Sequence, residues 1–261
     1  MSPPGAAIRW RTIIHSVPVA GGRNMALDHA LAELVQPGEA VLRLYGWAPP
    51  TISFGRNEPT QGRYDLEAAA AEGLAFVRRP TGGRAVLHHV EVTYCAVLPA
   101  RAVGGPREAY VRINEGLVRG LRTLGCAADL ARDGKVLAPD AGPCFQAPAP
   151  GEVMLGGRKL VGSAQVRIGE NLLQHGSVIL GGDQGALARL TGGTTDPFPP
   201  ATLESAMGAV TWSAVAAALA EGMALALGGA WNEGDITAAE DARARSLEAE
   251  RYARDAWTWR R

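Results

Sequence analysis

Gly156-Gly157-Arg158-Lys159-Leu160-Val161-Gly162-Ser163-Ala164-Gln165-Val166-Arg167, a turn near Gly169 and Asn171, then Leu172-Leu173-Gln174-His175-Gly176-Ser177-Val178-Ile179-Leu180, is the stretch whose reading decides the fold. Gly-Gly is a two-residue hairpin signal. With Glu152 to Leu155 ahead of it, the run predicts three consecutive antiparallel strands. Pairing Arg167 with Leu172 sets Ala164 opposite His175 and Ser163 opposite Gly176, which gathers polar and small groups across two strands. Downstream, Thr211 to Leu227 is Ala-rich and helical, and Thr237-Ala238-Ala239-Glu240 is a capping box opening a last helix toward Trp257. Upstream, Arg23 to Leu34 reads as a helix with Asn24 as its cap and Leu27, Leu31 and Leu34 on one face. Strands follow at Ala40 to Tyr45 and Thr51 to Phe54, then a helix at Asp65 to Glu72 stopped by Gly73. Ala75 to Arg79 is a strand running into the loop Pro80 to Arg84, Ala85 to Leu98 is one or two strands, and Glu108 to Leu124 is the clearest helix. Without βαβ alternation, this pattern predicts an α+β layered fold. The expected organisation is one domain over 1–261, with a core at about 24–230 and a C-terminal helix at about 237–258.

The 261 residues are 47% hydrophobic and 20% charged, enough to bury a sizeable core and too apolar for a disordered tail. Lys+Arg 26 balances Asp+Glu 26, so no net field draws the chain to nucleic acid or to an anionic membrane. No apolar run reaches the roughly 20 residues that span a bilayer. Three irregularly spaced cysteines, Cys95, Cys126 and Cys144, and an N-terminus without the apolar stretch of a signal peptide predict a cytoplasmic protein with free thiols. Only Lys135 and Lys159 are lysine; every other cationic side chain is arginine. A lysine kept against that bias invites a role a guanidinium cannot fill, such as losing a proton.

Cys144 lies in the Gly- and Pro-rich loop Ala141-Gly142-Pro143-Cys144-Phe145-Gln146-Ala147-Pro148, where nucleophiles often sit. Cys95, inside an apolar strand, and Cys126, past a helix stop, read as small buried hydrophobes. Lys159 opens a stretch of small residues that lets a ligand approach the backbone, although a solvent-facing strand lysine is the plainer reading. A cation beside a thiol favours the thiolate. Arg78-Arg79-Pro80-Thr81-Gly82-Gly83-Arg84 either presents backbone amides to a carbonyl, carboxylate or phosphate or is a tight turn, and it lacks the spacing of phosphate-loop and dinucleotide fingerprints. His88 and His89 alternate on a strand, so at most one faces a common site. His175 is either a site residue or a structural histidine, and no Cys/His/Asp cluster has metal-ligand spacing.

In this order, several segments together resemble the lipoate-protein ligase A and octanoyltransferase family: Asn24-Met25-Ala26-Leu27-Asp28, Pro50-Thr51-Ile52-Ser53-Phe54-Gly55, Arg78 to His88, Gly157 to Gln165, and Leu173-Gln174-His175-Gly176-Ser177. The resemblance implies the biotin/lipoate protein ligase (class II synthetase-like) fold, a mixed, largely antiparallel sheet flanked by helices. Within the family the LipM-type transferases are favoured over ATP-using ligases by three features. These are Gly82-Gly83-Arg84 where ligases carry a third glycine, the Cys144-Phe145 segment upstream of Lys159, and the lack of an extra C-terminal domain. His89 departs from the family, where an Asp often follows the histidine.

The resemblance implies an octanoyltransferase with Cys144 and Lys159 as catalytic residues. Arg79, Gly82, Gly83, His88, Ser163, Ala164, Gln165, His175 and Gly176 would bind substrate. The donor would be octanoyl acyl carrier protein and the acceptor a lipoyl domain or glycine-cleavage carrier, with no metal and no cofactor; ATP and Mg²⁺ enter only if the chain is a ligase. A non-catalytic binder of lipoyl domains or acyl carriers is a further alternative. Val77, Val86 and Val161 are the expected walls of the acyl pocket, and Arg78, Arg79 and Arg84 the expected positive charge at its mouth.

Overall fold

The computed structural model describes residues 7–132, 150–192 and 199–261. A six-stranded mixed sheet forms its centre, in the order β10 (Val161–Ile168), β11 (Asn171–Ile179), β6 (Glu91–Pro99), β2 (Glu39–Trp47), β1 (Arg9–Val19) and β12 (Ala230–Glu233). The first three pairings are antiparallel and the last two parallel. A second sheet holds β3 (Thr51–Phe54) between β4 (Ala75–Arg78) and β5 (Val86–His88), and a third joins β7 (Asp129–Leu130), β8 (Val153–Leu155) and β9 (Arg158–Lys159).

The expected register is present: Arg167 pairs with Leu172, Ala164 with His175 and Ser163 with Gly176. The expected single strand from Arg158 to Arg167 is divided, however. The Leu160 amide donates to Val153 O at 3.0 Å while its carbonyl accepts from Ile179 N at 3.4 Å. Leu160 therefore hands the chain from the third sheet to the central one, with Lys159 on one side of the step and Gly162 and Ser163 on the other. βαβ crossovers are also present, contrary to expectation. The α1 helix (Gly21–Leu34) joins the parallel pair β1 and β2, and α2 (Leu66–Ala71) joins β3 and β4. The first was hidden because β1, with Arg9, Arg11 and His15, shows polar residues along a half-exposed strand.

One face of the central sheet packs Trp10, Leu42, Leu44, Tyr94 and Val178 against α3 (Pro106–Thr123) and α6 (Trp212–Leu227). Those helices cross at backbone distance: a Cβ on Gly120 would lie 2.2 Å from Ala218 O, and one on Gly222 2.2 Å from Gly120 N. The opposite face packs Ile13, Val41, Cys95 and Val97 against α1 and against α7 (Ala238–Leu247). Nearly every α1 side chain between Asn24 and Ala32 is buried, because α7 covers the side the sheet leaves open. Asn24 does not cap α1; Ala20 holds that position, and the Asn24 amide donates to Gly46 O at 3.0 Å.

The capping box at Thr237 and Glu240 forms with both of its bonds. After α7 the chain makes a π-helical turn at Glu248–Tyr252 and a short α8 (Asp255–Thr258), so the helix expected to run to Trp257 is interrupted. Two further short helices, α4 (Ala186–Leu190) and α5 (Leu203–Met207), follow the central hairpin, α4 against the second sheet and Leu203 in the core. No helix among the described residues is long and apolar enough to cross a membrane.

Candidate active site

The loop between β4 and β5 is held from all sides. Glu58 is buried and accepts Gly55 N–H through Oε2 and Ala85 N–H through Oε1, each at 2.9 Å, and burial raises its pKa. Arg79 donates to Ser53 O at 2.7 Å, to Gly82 O at 2.9 Å and to Arg84 O at 2.7 Å, so its guanidinium forms the inside of the turn. A Cβ on Gly55 would sit 1.8 Å from Gly83 O, and Gly83 adopts φ +88°, so both positions require glycine. Arg78, fully buried, donates to Gly55 O, Glu58 O and Thr258 O, while Trp257 donates to Arg78 O, tying the C-terminal turns to the base of the loop.

Where this loop leans on the α1 face of the central sheet, a cavity of about 440 Å³ opens, its mouth included. Met25, Tyr45, Trp47 and Val86 supply apolar wall; Ser53, Arg79, His88, Thr93, His175 and Ser177 supply polar groups; Gly162 to Ala164 supply strand backbone. β10 is the edge of its sheet, so alternate N–H groups there point away from β11.

Two histidines form the polar floor, each between a carboxylate and a hydroxyl. Asp28 accepts from Arg43 Nη1 at 2.8 Å, from Tyr45 Oη at 2.8 Å and from His175 Nδ1 at 3.0 Å, while His175 Nε2 meets Thr81 Oγ1 at 2.7 Å. Burial works against an ionised Asp28, yet the His175 hydrogen bond and the Arg43 charge outweigh it and hold its pKa below the usual carboxylate value. Burial lowers the His175 pKa despite Asp28, so its imidazole is neutral, with Nδ1–H donating to the carboxylate and Nε2 accepting from Thr81. In the second unit His88 Nδ1 lies 2.8 Å from Glu91 Oε1 and His88 Nε2 lies 2.7 Å from Ser53 Oγ. Glu91 also accepts from Thr93 and Ser177, and Trp47 stacks on the His88 ring at 3.9 Å, 10° from parallel.

The family model for the lipoyl protein ligase A/B catalytic domain matches residues 21–218, a span that takes in every wall of this cavity. The chain belongs to this family. It is 41% identical to an octanoyltransferase LipM of Kyrpidia tusciae, over 97% of this chain and 99% of the relative. It is 38% identical to one of Symbiobacterium thermophilum, over 92% and 95%. Among solved structures it resembles a lipoate-protein ligase A bound with ATP (TM-score 0.81, 22% identity, 97% and 98% covered). It also resembles the bi-partite lipoate protein ligase of Thermoplasma acidophilum (TM-score 0.77, 21% identity, 97% and 96% covered). At that identity the likeness shows the fold, which is the expected class II synthetase-like one.

Within this lipoyl-ligase fold, Arg79, Gly83, His88, Ser163, Ala164, His175 and Gly176 come together around the cavity. Gly82 stands beside it, its carbonyl held by Arg79. Gln165 does not reach it: its amide donates to Pro106 O and Gln174 Oε1, in a surface groove on the other face of β10. Of the expected valine walls only Val86 lines the cavity, since Val77 packs with α1 and Val161 with the α3 and α6 core. The expected basic mouth is absent from Arg78, Arg79 and Arg84, which are 0%, 5% and 6% exposed; Arg78 and Arg79 are spent on loop carbonyls. His89 is exposed while His88 faces inward, as strand alternation requires.

Lys159 is buried and its Nζ lies 2.6 Å from Glu152 Oε1. Cys144 lies outside the described residues. Cys95 and Cys126 are buried with pKa values raised by burial, so neither thiol is poised to ionise. Asp28, Glu58, Glu91, Trp47 and Glu152 were not singled out in the sequence. A carboxylate at Asp28, four residues after Asn24 among the apolar residues Met25, Ala26, Leu27, Ala30 and Leu31, and Glu91 heading the alternating polar face Glu91, Thr93 are the signals that were there to read.

Proposed function

We propose that this chain takes an octanoyl group from octanoyl acyl carrier protein onto the Cys144 thiolate and delivers it to the lysine of a lipoyl domain or glycine-cleavage carrier. The chain is an octanoyltransferase serving protein lipoylation, a statement carried by relatives of that name matched over 97% and 92% of its length. In the first half-reaction the Cys144 sulfur bonds to the acyl carbon and the carrier's pantetheine thiol departs. Exchange of one thioester for another is nearly balanced, so this route uses no ATP. In the second, the acceptor amine attacks, an amide forms and the Cys144 sulfur leaves.

The observation that supports this best is the open-mouthed cavity, where Met25, Tyr45, Trp47 and Val86 meet the edge-strand backbone at Ser163 and Ala164. An eight-carbon chain buried against such walls gains roughly 5 kcal/mol at about 0.8 kcal/mol per CH₂, enough to select chain length. Backbone N–H groups of β10 are the oxyanion donors in this reading. Lys159, oriented by Glu152, is the cation that favours the thiolate. The test is intact-protein mass spectrometry after mixing with octanoyl acyl carrier protein without ATP. A hydroxylamine-labile octanoyl adduct on wild type and none on Cys144→Ala is expected. Absence of the adduct, with transfer from free octanoate that requires ATP and Mg²⁺ and survives Cys144→Ala, refutes the reading in favour of a ligase.

A further inference from the structure

We infer that Arg56, Arg251, Arg260 and Arg261 form a docking surface beside the cavity mouth for the acceptor domain, holding carboxylates of that domain so that its lysine reaches the acyl group. The inference rests on the transferase reading above and adds to it the surface at which the acceptor binds. Arg78, Arg79 and Arg84 do not charge the mouth, because they are buried. The rim is Gly83, which both lines the cavity and is exposed. Gly55 packs against Gly83 O, and Arg56, next in the chain, donates its N–H to Thr81 O at 2.7 Å. The Arg56 side chain is exposed at that point.

The turns after α7 bring the other cations to the same place. Residues 251–261 carry four arginines against one acid, Asp255. Arg261 O accepts from Thr60 N at 2.8 Å and from Gln61 N at 3.1 Å, which seats Arg261 on the segment that follows Arg56. Arg260 donates to Arg56 O. The Trp257 ring carries two guanidiniums, Arg260 at 4.0 Å and Arg251 at 4.8 Å from its centre, a cation–π arrangement that holds both beside the loop. Trp257 is itself fixed by its bond to Arg78 O at 2.7 Å.

These charges are left unbalanced. Among the described residues no carboxylate lies within ion-pair distance of the four, whereas Arg9, Arg167, Arg189 and Arg245 at other exposed positions each hold one. Burial and then the charges of Arg56, Arg261 and Arg251 lower the Arg260 pKa, and its buried Nε has no hydrogen-bond partner among the described residues. Carboxylates brought from outside relieve repulsion of this kind. The hydrogen bonds of Arg56 and Arg261 run through their backbones, so their side chains remain open to a partner. On a chain without net charge the patch acts on a surface docked against it, since salt screens it over about 8 Å. Position selects the acceptor over the donor. A lysine side chain is short, so the domain that carries it must sit at the rim; a pantetheine thioester arrives on a long arm, and its carrier can dock well away from the mouth.

The experiment measures by titration calorimetry the affinity of an unmodified lipoyl domain for three proteins: wild type, Arg56→Glu with Arg261→Glu, and Arg101→Glu with Arg119→Glu. The last makes the same change of charge at exposed positions past β6 and on α3, away from the cavity. The first double variant is expected to bind at least about 30-fold more weakly in low salt and within about threefold of wild type in about 0.5 M salt, while the second binds as wild type does. A lipoyl domain whose carboxylates nearest the lysine are replaced by lysine is expected to prefer Arg56→Glu with Arg261→Glu over wild type. In octanoyl transfer the same variant is expected to raise KM for the lipoyl domain and leave kcat in place. Unchanged affinity, an equal loss in Arg101→Glu with Arg119→Glu, or a loss confined to loading by octanoyl acyl carrier protein overturns the docking surface. Failure of wild type to form an octanoyl adduct refutes the acyl-enzyme reading alone, because calorimetry needs no acyl group and still decides where the acceptor binds.

Discussion

Replacing Asp28 with Asn tests the charge assignment on which the cavity floor depends. Asp28 and Arg43 are both 0% exposed, so water can compensate neither. Asn keeps one carbonyl oxygen for Arg43 but turns an NH₂ group toward Tyr45 Oη and His175 Nδ1–H, two donors that then lack an acceptor. Arg43 loses its carboxylate and keeps the Asn24 oxygen and a 3.2 Å contact to His15 Nδ1. Breaking one side of a buried ion pair costs about 3–5 kcal/mol. For a chain of this size that lowers Tm by about 6–20 °C, at about 2–4 °C per kcal/mol. Calorimetry or thermal unfolding followed by circular dichroism reads the shift. A double variant, Asp28→Leu with Arg43→Leu, removes both charges and is expected to be less destabilised than the sum of the two single changes. A loss under about 1 kcal/mol in Asp28→Asn, or strict additivity in the double variant, refutes an ionised Asp28 paired with Arg43.

Ala164→Leu adds three carbons to the cavity wall and is expected to shift preference from octanoyl toward hexanoyl donors by about 15-fold, the worth of two CH₂ groups at about 0.8 kcal/mol each; competition between the two donors, read by mass spectrometry, checks it. Burial lowers the His29 pKa from 6.5 to about 4, so between those values the unfolded chain binds a proton that the folded one refuses. Stability is therefore expected to fall by about 3 kcal/mol as pH drops from 7 to 4. Asp28, whose folded pKa is depressed, adds its loss only at lower pH, and a denaturant midpoint series that stays flat from pH 7 to 4 contradicts this. Lys159→Arg keeps a cation beside Glu152 but not a compact ammonium that can give up a proton. The rate of Cys144 acylation is expected to drop at least about tenfold while Tm moves by less than it does in Lys159→Met.

Much of the frame was legible because it rests on local rules. The Arg167 to Leu172 turn fixed a register that runs unbroken through eight pairs, since a slip by one residue would turn every side chain to the wrong face. The capping box at Thr237 has its own hydrogen bonds and needs no tertiary context. What escaped depends on partners far away in sequence. Asn24 looks like a cap until Arg43, nineteen positions on, claims its oxygen at 2.7 Å. Arg78 and Arg79 look like surface charge until the carbonyls of residues 53 to 58 and 82 to 84 are folded around them. Glu91 acquires meaning only when Ser177 and His88 converge on it from two other strands. Local hydrogen-bonding habits are written into sequence, whereas buried charge is assigned by whatever the fold places opposite it.

The Lys159 and Glu152 pair shows how stability and chemistry separate in this molecule. A buried ion pair is a poor source of stability, because desolvation of both ions cancels most of their attraction, and an apolar pair of similar volume serves as well or better. Arg43 with Asp28 has structural work to do, since it gathers β2, α1, β11 and the 80–84 loop through His175 and Thr81. The Lys159–Glu152 ion pair spans the turn between β8 and β9, one step before the chain enters the cavity-lining strand β10. In a chain that uses arginine at nearly every other cationic position, the ammonium here is the exception. An ammonium gives up its proton far more readily than a guanidinium, and it is compact enough to sit beside a thiolate and a carboxylate at once. The sequence bias and the buried pair with Glu152 are the two observations behind the role proposed for Lys159, and the acylation rate of Lys159→Arg tests it.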